Sequence, residues 1–483
     1  MHLNIQNTET LSTTIMDSSI LNKRVRASDL ARRSSKIFCK TYGDSALDAI
    51  APFERDEIIL GERVGTGSFS FVYEIKEFNL RADQSDMYTR KQVRAREATA
   101  TSVSDGAKYV MKCLKEELEE SEEDLFLDAA QDIMHEAEML AALSHPNIVK
   151  LHGVVSTRHD AFLDGASAFF IILEGLESTL ADTIENWKKQ NSNSYNLQKS
   201  FKSLSRHFFT TVNKVEKAAT TSVDKVGSLD DRLNVAASLA RVVEYLHSQE
   251  VIYHDLKTKN IGFDKEGNLK LVDFGFARFM PRHGDSYEEL YEMVGAGTPR
   301  YSAPEVISAR PYNLKADVYS FAVVFWEIMC LKKPFAKYKH RKGFEKAVLK
   351  ADKVLVINQR LHPSIHDIIT RSLSRDITKR PMMSEVCLTF SECAFKNCDF
   401  ERKCTLSSTR KQPSKSHVHS VQLSSKRALQ KFGSSFSSAV SATLVPNATD
   451  YENDVSETSR TTANTMFEDY LLPRYLATHK DDK

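Results

Sequence analysis

The sequence predicts an α+β fold in two unequal parts, and three observations lead there. Residues 58–174 alternate apolar and polar positions in short runs broken by glycine turns, with one helical stretch among them. Residues 175–395 follow helical spacing for most of their length. The full 483 residues suit one large bilobal domain with tails, or two to three smaller units.

The elements follow in order. EIILGERVGTGSFSFVYEI reads as strand, glycine turn, strand, and KYVMKCL as a third strand. Residues 122–143 place Leu125, Ala129, Ile133, Ala137 and Leu140 on one helical face. HPNIVKLHGVV and AFFIILEGL complete a five-strand unit with one helix. SLDDRLNVAASLARVVEYLHS begins with Ser228 and Asp231 at capping-box spacing and buries Leu233, Ala237, Ala240, Val243 and Leu246. The longest apolar run, FAVVFWEIMCL at 321–331, is too short to cross a bilayer and reads as a buried core helix.

Two insertions and two tails interrupt this pattern. One insertion spans about 77–106 and the other about 184–227, the latter carrying Lys188, Lys189, Lys199, Lys202, Lys214 and Lys217. Long loops of this kind are functional or disordered, and a lysine run is usually a solvated face. Residues 1–57 read as a disordered arm; Asp17 and Asp29 count against an organelle transit peptide there. Within it, ARRSSKIF sets basic residues before Ser34 and Ser35, which fits a basic-directed phosphorylation site or an ordinary basic segment. The Ser- and Lys-rich residues 396–483 read as a disordered tail, and FEDYLLPRYL within it is a docking island or a frayed helix.

Hydrophobic residues at 41%, charged at 27% and a net charge of +1 describe a globular chain without whole-surface attraction to nucleic acid or membrane. Seven cysteines and no secretory leader point to reduced thiols in a cytoplasmic or nuclear setting. Cys393, Cys398 and Cys404 match no zinc spacing, and SHVHS nearby adds no ligand set.

The residues suited to chemistry come in a fixed order. In VGTGSFSFV, Gly65 and Gly67 let the backbone turn sharply and approach a polyphosphate, although most such turns bind nothing. Lys112 lies among apolar residues on an inner strand and needs a carboxylate partner. Glu136 is the natural one, because Glu138, two residues on, points away from that face. HDLKTKN then sets Asp255, Lys257 and Asn260 together, and VDFG adds Asp273. AGTPRYSAPE and RDITKRP follow, with Glu305 and Arg380.

Glycine loop, lysine, glutamate, HDLKTKN, DFG and APE in this order resemble the eukaryotic protein kinase catalytic domain over roughly residues 58–395. The VYSF…WE stretch resembles the tyrosine-kinase-like group of serine/threonine kinases. The resemblance implies a bilobal protein kinase fold, with a small β-rich N-lobe (58–174) and a larger helical C-lobe (175–395). It implies transfer of the ATP γ-phosphate to a protein serine or threonine, with Lys257 and Thr298 favouring that specificity. Asp255 is then the base, Lys257 contacts the γ-phosphate, and the Lys112–Glu136 pair holds the α- and β-phosphates. Asn260 and Asp273 hold Mg2+, and Gly65, Gly67, Val72, Val110, Lys112, Glu174, Leu176 and Gly262 line the nucleotide site. Asp317 anchors the catalytic loop backbone, and Arg380 pairs with Glu305. The expected partners are protein substrates, with no nucleic acid and no membrane insertion.

Four departures from the family pattern stand out. His254 replaces the arginine that grips an activation-loop phosphate, which predicts weak dependence on Ser286, Tyr287 or Tyr291 phosphorylation. Tyr253 replaces a histidine and is expected to stack beneath Phe274. In the adenine pocket, a bulky ceiling at Val110 faces a floor emptied at Gly262. Ser70 replaces the third glycine and stiffens the loop. None removes a charged catalytic group, so an active kinase stands ahead of a pseudokinase scaffold. AGTPRYSAPE and Arg380 disfavour a small-molecule or lipid kinase.

Overall fold

A computed structural model describes residues 18–42, 46–81, 88–190, 227–280, 289–293, 297–350, 355–356 and 361–393. The smaller lobe is built on strands β1 (Ala51–Phe53), β2 (Ile58–Thr66), β3 (Ser70–Phe78), β4 (Tyr109–Leu114), β5 (Leu151–Val155) and β6 (Phe170–Glu174). They form one six-stranded sheet in the order β1-β5-β6-β4-β3-β2. Helices α1 (Ser18–Tyr42), α2 (Arg90–Ser104) and α3 (Glu123–Ala142) belong to the same lobe.

This lobe is larger than the five strands and one helix expected. β1 pairs in parallel with β5 at the sheet edge, where Pro52 costs little. All three of its residues are buried, so it has no alternation to reveal it. A Cβ on Gly153 would lie 2.6 Å from the Phe53 ring, so only glycine lets β1 come this close.

The arm expected to be disordered is helical over Ser18–Tyr42 and folded again over 46–57, while residues 1–17 lie outside the described residues. Ala27 and Ala31 are fully buried one turn apart, with Ser28, Ser34 and Phe38 also buried. Such a small-residue stripe lets two helix backbones approach without the apolar signature of a core helix.

The insertion at about 77–106 is partly folded as α2, started by a Thr89–Gln92 capping box. Its Arg96 is buried, 2.5 Å from Glu57 and 2.6 Å from the Pro52 carbonyl, and so ties the insertion to the sheet. Of the second insertion, 184–190 continues a helix and 191–226 lies outside the described residues, together with Lys199, Lys202, Lys214 and Lys217. The tail from 396, with FEDYLLPRYL and SHVHS, also lies outside them.

The larger lobe contains α4 (180–190), α5 (Leu229–Ser248), α6 (Pro304–Ile307), α7 (Lys315–Cys330), α8 (Arg341–Lys350), α9 (Pro363–Ser372) and α10 (383–393). The Ser228–Asp231 box starts α5 as expected. Ala240, Val243 and Leu246 are buried, but Leu239 and Val242 displace Leu233 and Ala237 from the most buried positions. α7 is buried around nearly its whole circumference. Two small sheets frame the loops between α5 and α6: β7 (Ser178–Thr179) with β9 (Ile261–Phe263) and β10 (Leu269–Leu271), and β8 (Val251–Ile252) with β11 (Arg278–Phe279).

Candidate active site

Strand alternation sets up the upper wall of the cleft. On β4, Tyr109, Met111 and Cys113 turn into the lobe and are buried, while Val110 and Lys112 share the opposite, half-buried side. Val72 on β3 sits across from Lys112 and, on its other flank, from Gly65. Gly65, Gly67, Val72, Val110 and Lys112 are thus brought to one end of the sheet. The Gly67 N–H donates to the Ser70 carbonyl at 2.8 Å, and a Cβ on Gly67 would sit 2.8 Å from Ser70 Oγ. Ser70 therefore fills the turn itself, and a side chain at Gly67 would have to turn the Ser70 hydroxyl aside. Lys115 Nζ donates to the Ser68 carbonyl at 2.8 Å and fastens the turn to the end of β4.

Lys112 Nζ lies 2.5 Å from Glu136 Oε2 on α3 and 3.3 Å from Asp273 Oδ1. Glu138 faces α1 instead. Burial alone would lower the Lys112 pKa, but Asp273 and Glu136 together hold the ammonium far above its usual range. The same ammonium draws the Asp273 carboxyl below the ordinary carboxylate value.

On the lower side the loop backbone is held from beneath. Asp317 on α7 is 1% exposed and accepts from the Tyr253 and His254 N–H groups at 2.7 and 3.0 Å, with His247 Nε2 at 3.2 Å. Three charge-assisted hydrogen bonds to one buried carboxylate fix the start of the loop. His247 is a member of this anchor that the motifs did not single out.

Five residues further along, the side chains converge. Asn260 Nδ2 donates to the Asp255 carbonyl at 3.1 Å and to Asp255 Oδ2 at 3.0 Å. Lys257 Nζ pairs with Asp255 Oδ2 and also reaches Thr298 Oγ1 at 3.1 Å. The Thr298 hydroxyl donates to Asp255 Oδ1 at 2.7 Å. Thr298 is therefore part of the cluster itself, beyond the acceptor preference drawn from its sequence context. Burial pushes the Asp255 pKa up, and Lys257 opposes that shift.

His254 is occupied on both ring nitrogens. Nδ1–H donates to the Phe276 carbonyl at 2.9 Å, and Nε2 accepts from the Tyr312 hydroxyl at 2.9 Å. Burial lowers its pKa, which keeps the ring neutral in that tautomer. Tyr253 meets Phe274 edge-on, with ring centres 5.2 Å apart at 75°, and its hydroxyl donates to the Val272 carbonyl. The expected stacking is thus an edge-to-face contact.

The adenine floor differs from the emptied space expected. A Cβ on Gly262 would lie 2.5 Å from Leu176 Cδ1, so the leucine side chain occupies the volume that the glycine leaves. Glu174 turns its carboxylate away to Lys270 Nζ at 2.9 and 3.0 Å and to the Lys150 N–H at 2.8 Å. Within the larger lobe, Arg380 and Glu305 form a bidentate pair at 2.5 and 2.7 Å, with Arg380 2% exposed.

The donor set suits a hard divalent cation held jointly with phosphate. Asn260 spends its amide nitrogen on Asp255, which leaves its carbonyl end on the other side, and Asp273 engages Lys112 through one oxygen. No cluster of three or more His, Cys, Asp or Glu able to hold a metal exists among the described residues. One amide oxygen and one carboxylate would thus need nucleotide oxygens to complete a magnesium shell.

The protein kinase domain family matches residues 98–389, more than half of the chain. The match begins within α2, so the glycine turn precedes it. The cAMP-dependent protein kinase type 3 of Saccharomyces cerevisiae is 38% identical over 145 residues, 30% of this chain and 34% of that protein. The serine/threonine-protein kinase STY46 of Arabidopsis thaliana is 34% identical over 171 residues, 35% and 28% of the two chains. The serine/threonine/tyrosine-protein kinase HT1 of the same plant is 30% identical over 187 residues, 38% and 46% of the two. Each match spans less than half of the relative's length. With a β-sheet lobe, a helical lobe and this cluster between them, the chain belongs to the protein kinase domain family and resembles its tyrosine-kinase-like members.

Proposed function

We propose that the chain is a protein serine/threonine kinase that transfers the γ-phosphate of ATP to a protein hydroxyl, with a kinase domain over 58–395. The observation that carries this reading is the meeting of Lys112 with both Glu136 and Asp273, which joins the two lobes around one cation. The substrate hydroxyl oxygen bonds to the γ-phosphorus as the bond to the ADP oxygen breaks. Asp255 orients that hydroxyl and accepts its proton, and Thr298 holds the carboxylate in place. Lys112 neutralises α- and β-phosphate charge and Lys257 the transferred group. Magnesium, held through Asn260 and Asp273, would spread the remaining phosphate charge.

His254 sharpens the reading. With both nitrogens already engaged, it offers no donor to an activation-loop phosphate. Changing Ser286→Ala, Tyr287→Phe and Tyr291→Phe together should lower kcat by less than about threefold. Ser286 and Tyr287 lie outside the described residues, and Tyr291 pairs with the Tyr312 backbone at 2.9 and 3.0 Å. Protein substrates follow from the family. No described helix is long and apolar enough to cross a membrane.

The test compares wild type with Asp255→Asn in magnesium-dependent transfer from ATP to casein or myelin basic protein. The variant should fall about 100-fold or more. Equal signals from the two would reject the catalytic reading. Nucleotide-dependent thermal stabilisation without transfer in wild type would instead identify a scaffold.

A further inference from the structure

The back of α3, away from Lys112, is covered by α1 along much of its length. At its N-terminal half, α1 grips the linker that leads into α3. Arg24 holds the Glu119 carboxylate through Nε at 3.0 Å and Nη2 at 2.7 Å, and Lys23 Nζ donates to the Ser121 carbonyl at 2.7 Å. In the middle, Arg32 pairs with Asp160, and Ser28 Oγ donates to the same carboxylate at 3.3 Å. Further along, Gln131 Nε2 on α3 donates to Ser34 Oγ at 3.2 Å, both residues being buried. These contacts fix α1 to three separate pieces of the lobe.

The C-terminal end of α1 does something different. The Phe38 ring, 9% exposed, lies edge-on to His135 of α3, with centres 6.2 Å apart, and edge-on to Phe279 of β11 at 5.9 Å. His135 Nε2–H in turn donates to the Ala277 carbonyl at 2.7 Å. His135 immediately precedes Glu136, and Ala277 to Phe279 follow Asp273 by four to six residues. β11 also pairs with β8, where Phe279 opposes Val251 just ahead of the catalytic loop. One aromatic ring therefore touches the helix that presents Glu136 and the strand that trails Asp273. Those are the two carboxylates that Lys112 holds.

We propose that Phe38 is a positioning residue for phosphoryl transfer: anchored by α1, it keeps α3 and β11 in the register that brings Glu136 and Asp273 to Lys112. The ring touches no reacting atom and acts through His135 and Phe279. Transfer depends steeply on placement, so a small outward drift of α3 costs rate more than ground-state affinity. This inference rests on the kinase reading above, and its test separates the two.

The experiment uses the full chain as wild type, Phe38→Ala, Phe38→Leu and Leu21→Ala, the last on the outer face of α1, where Leu21 is 48% exposed. Steady-state transfer to casein is measured alongside amide hydrogen exchange of residues 130–142 and 275–280. Phe38→Ala should lower kcat about tenfold, move the ATP KM by less than about threefold, and speed exchange in both segments. Phe38→Leu, which keeps most of the volume, should recover at least half of wild-type kcat, and Leu21→Ala should match wild type. Wild-type kcat with wild-type exchange in Phe38→Ala overturns the proposal. So does lost activity without faster exchange in α3, since the ring would then act by another route. If Phe38→Ala does not fold, Phe38→Leu is read by the same two signals at a smaller, about twofold, scale. If wild type transfers no phosphate, the kinase reading fails, and exchange alone decides whether Phe38 holds the two segments.

Discussion

Glu136 and Glu138 stand two residues apart on α3, and both are almost completely buried, at 2% and 3% exposure. Burial raises the pKa of each carboxyl. What differs is the face. Glu136 meets the Lys112 ammonium at 2.5 Å, whose opposite charge counters the effect of burial. Glu138 meets α1, where the Ser35 hydroxyl opposes burial without a cation beside it among the described residues, and its pKa rises to about 7. In both residues Oε1 finds no hydrogen-bond partner among the described residues. One helix thus carries a carboxylate paired with an ammonium on its cleft-facing side and a carboxyl with no cation beside it, raised to about 7, on its supporting side. The lesson is that depth alone does not set the state of a buried carboxylate; the nearest cation does.

The largest effect that tests this contrast comes from Glu136→Gln. The amide keeps the shape and one hydrogen bond but removes the charge, leaving Lys112 to Asp273 alone. Activity toward casein should fall about 10- to 100-fold in kcat, while the matching change Glu138→Gln should stay within about twofold. Comparable losses in the two variants would show that α3 matters as a packed unit and that its two faces are not specialised.

How much of this was legible in the sequence divides along the same line. The face toward Lys112 was readable because the proposed phosphoryl transfer demands particular charges in a particular order, and Lys112, Glu136, Asp255, Asn260 and Asp273 follow that order in the sequence. Single-residue departures were visible too, but their consequences were not. Gly262 announces a missing side chain without revealing that Leu176 fills its place. His254 announces a missing arginine without revealing that Phe276 and Tyr312 occupy both ring nitrogens. The supporting face was illegible for a different reason. Its contact stripe on α1 is Ala27, Ser28, Ala31, Ser34 and Phe38, which carries little apolar periodicity, and its fixed points are ion pairs whose partners lie far away in sequence. β1 is three residues long and buried throughout, so no alternation marks it.

The smaller effect, and the finer test, is the pH dependence of stability carried by Glu138. The folded carboxyl keeps its proton to about pH 7, whereas an unperturbed glutamate releases it near 4.5. Between those values folding takes up a proton, so wild-type stability falls as pH rises through the window, and the loss is complete above about pH 7. Glu138→Gln fills the same space with no charge to bury and lacks that decline. Thermal unfolding should find the two proteins nearly equal at pH 5. At pH 8 the variant should be more stable by about 1–3 kcal/mol, the upper end being the full linkage value for a shift of this size. The difference should persist in high salt, because a buried group is screened little. If wild type is instead the more stable at pH 8, Glu138 is ionised and stabilised in the fold. The supporting face of α3 would then carry a charge as the functional face does, and the mild behaviour expected of Glu138→Gln in the activity assay would have to come from distance to the cleft rather than from neutrality.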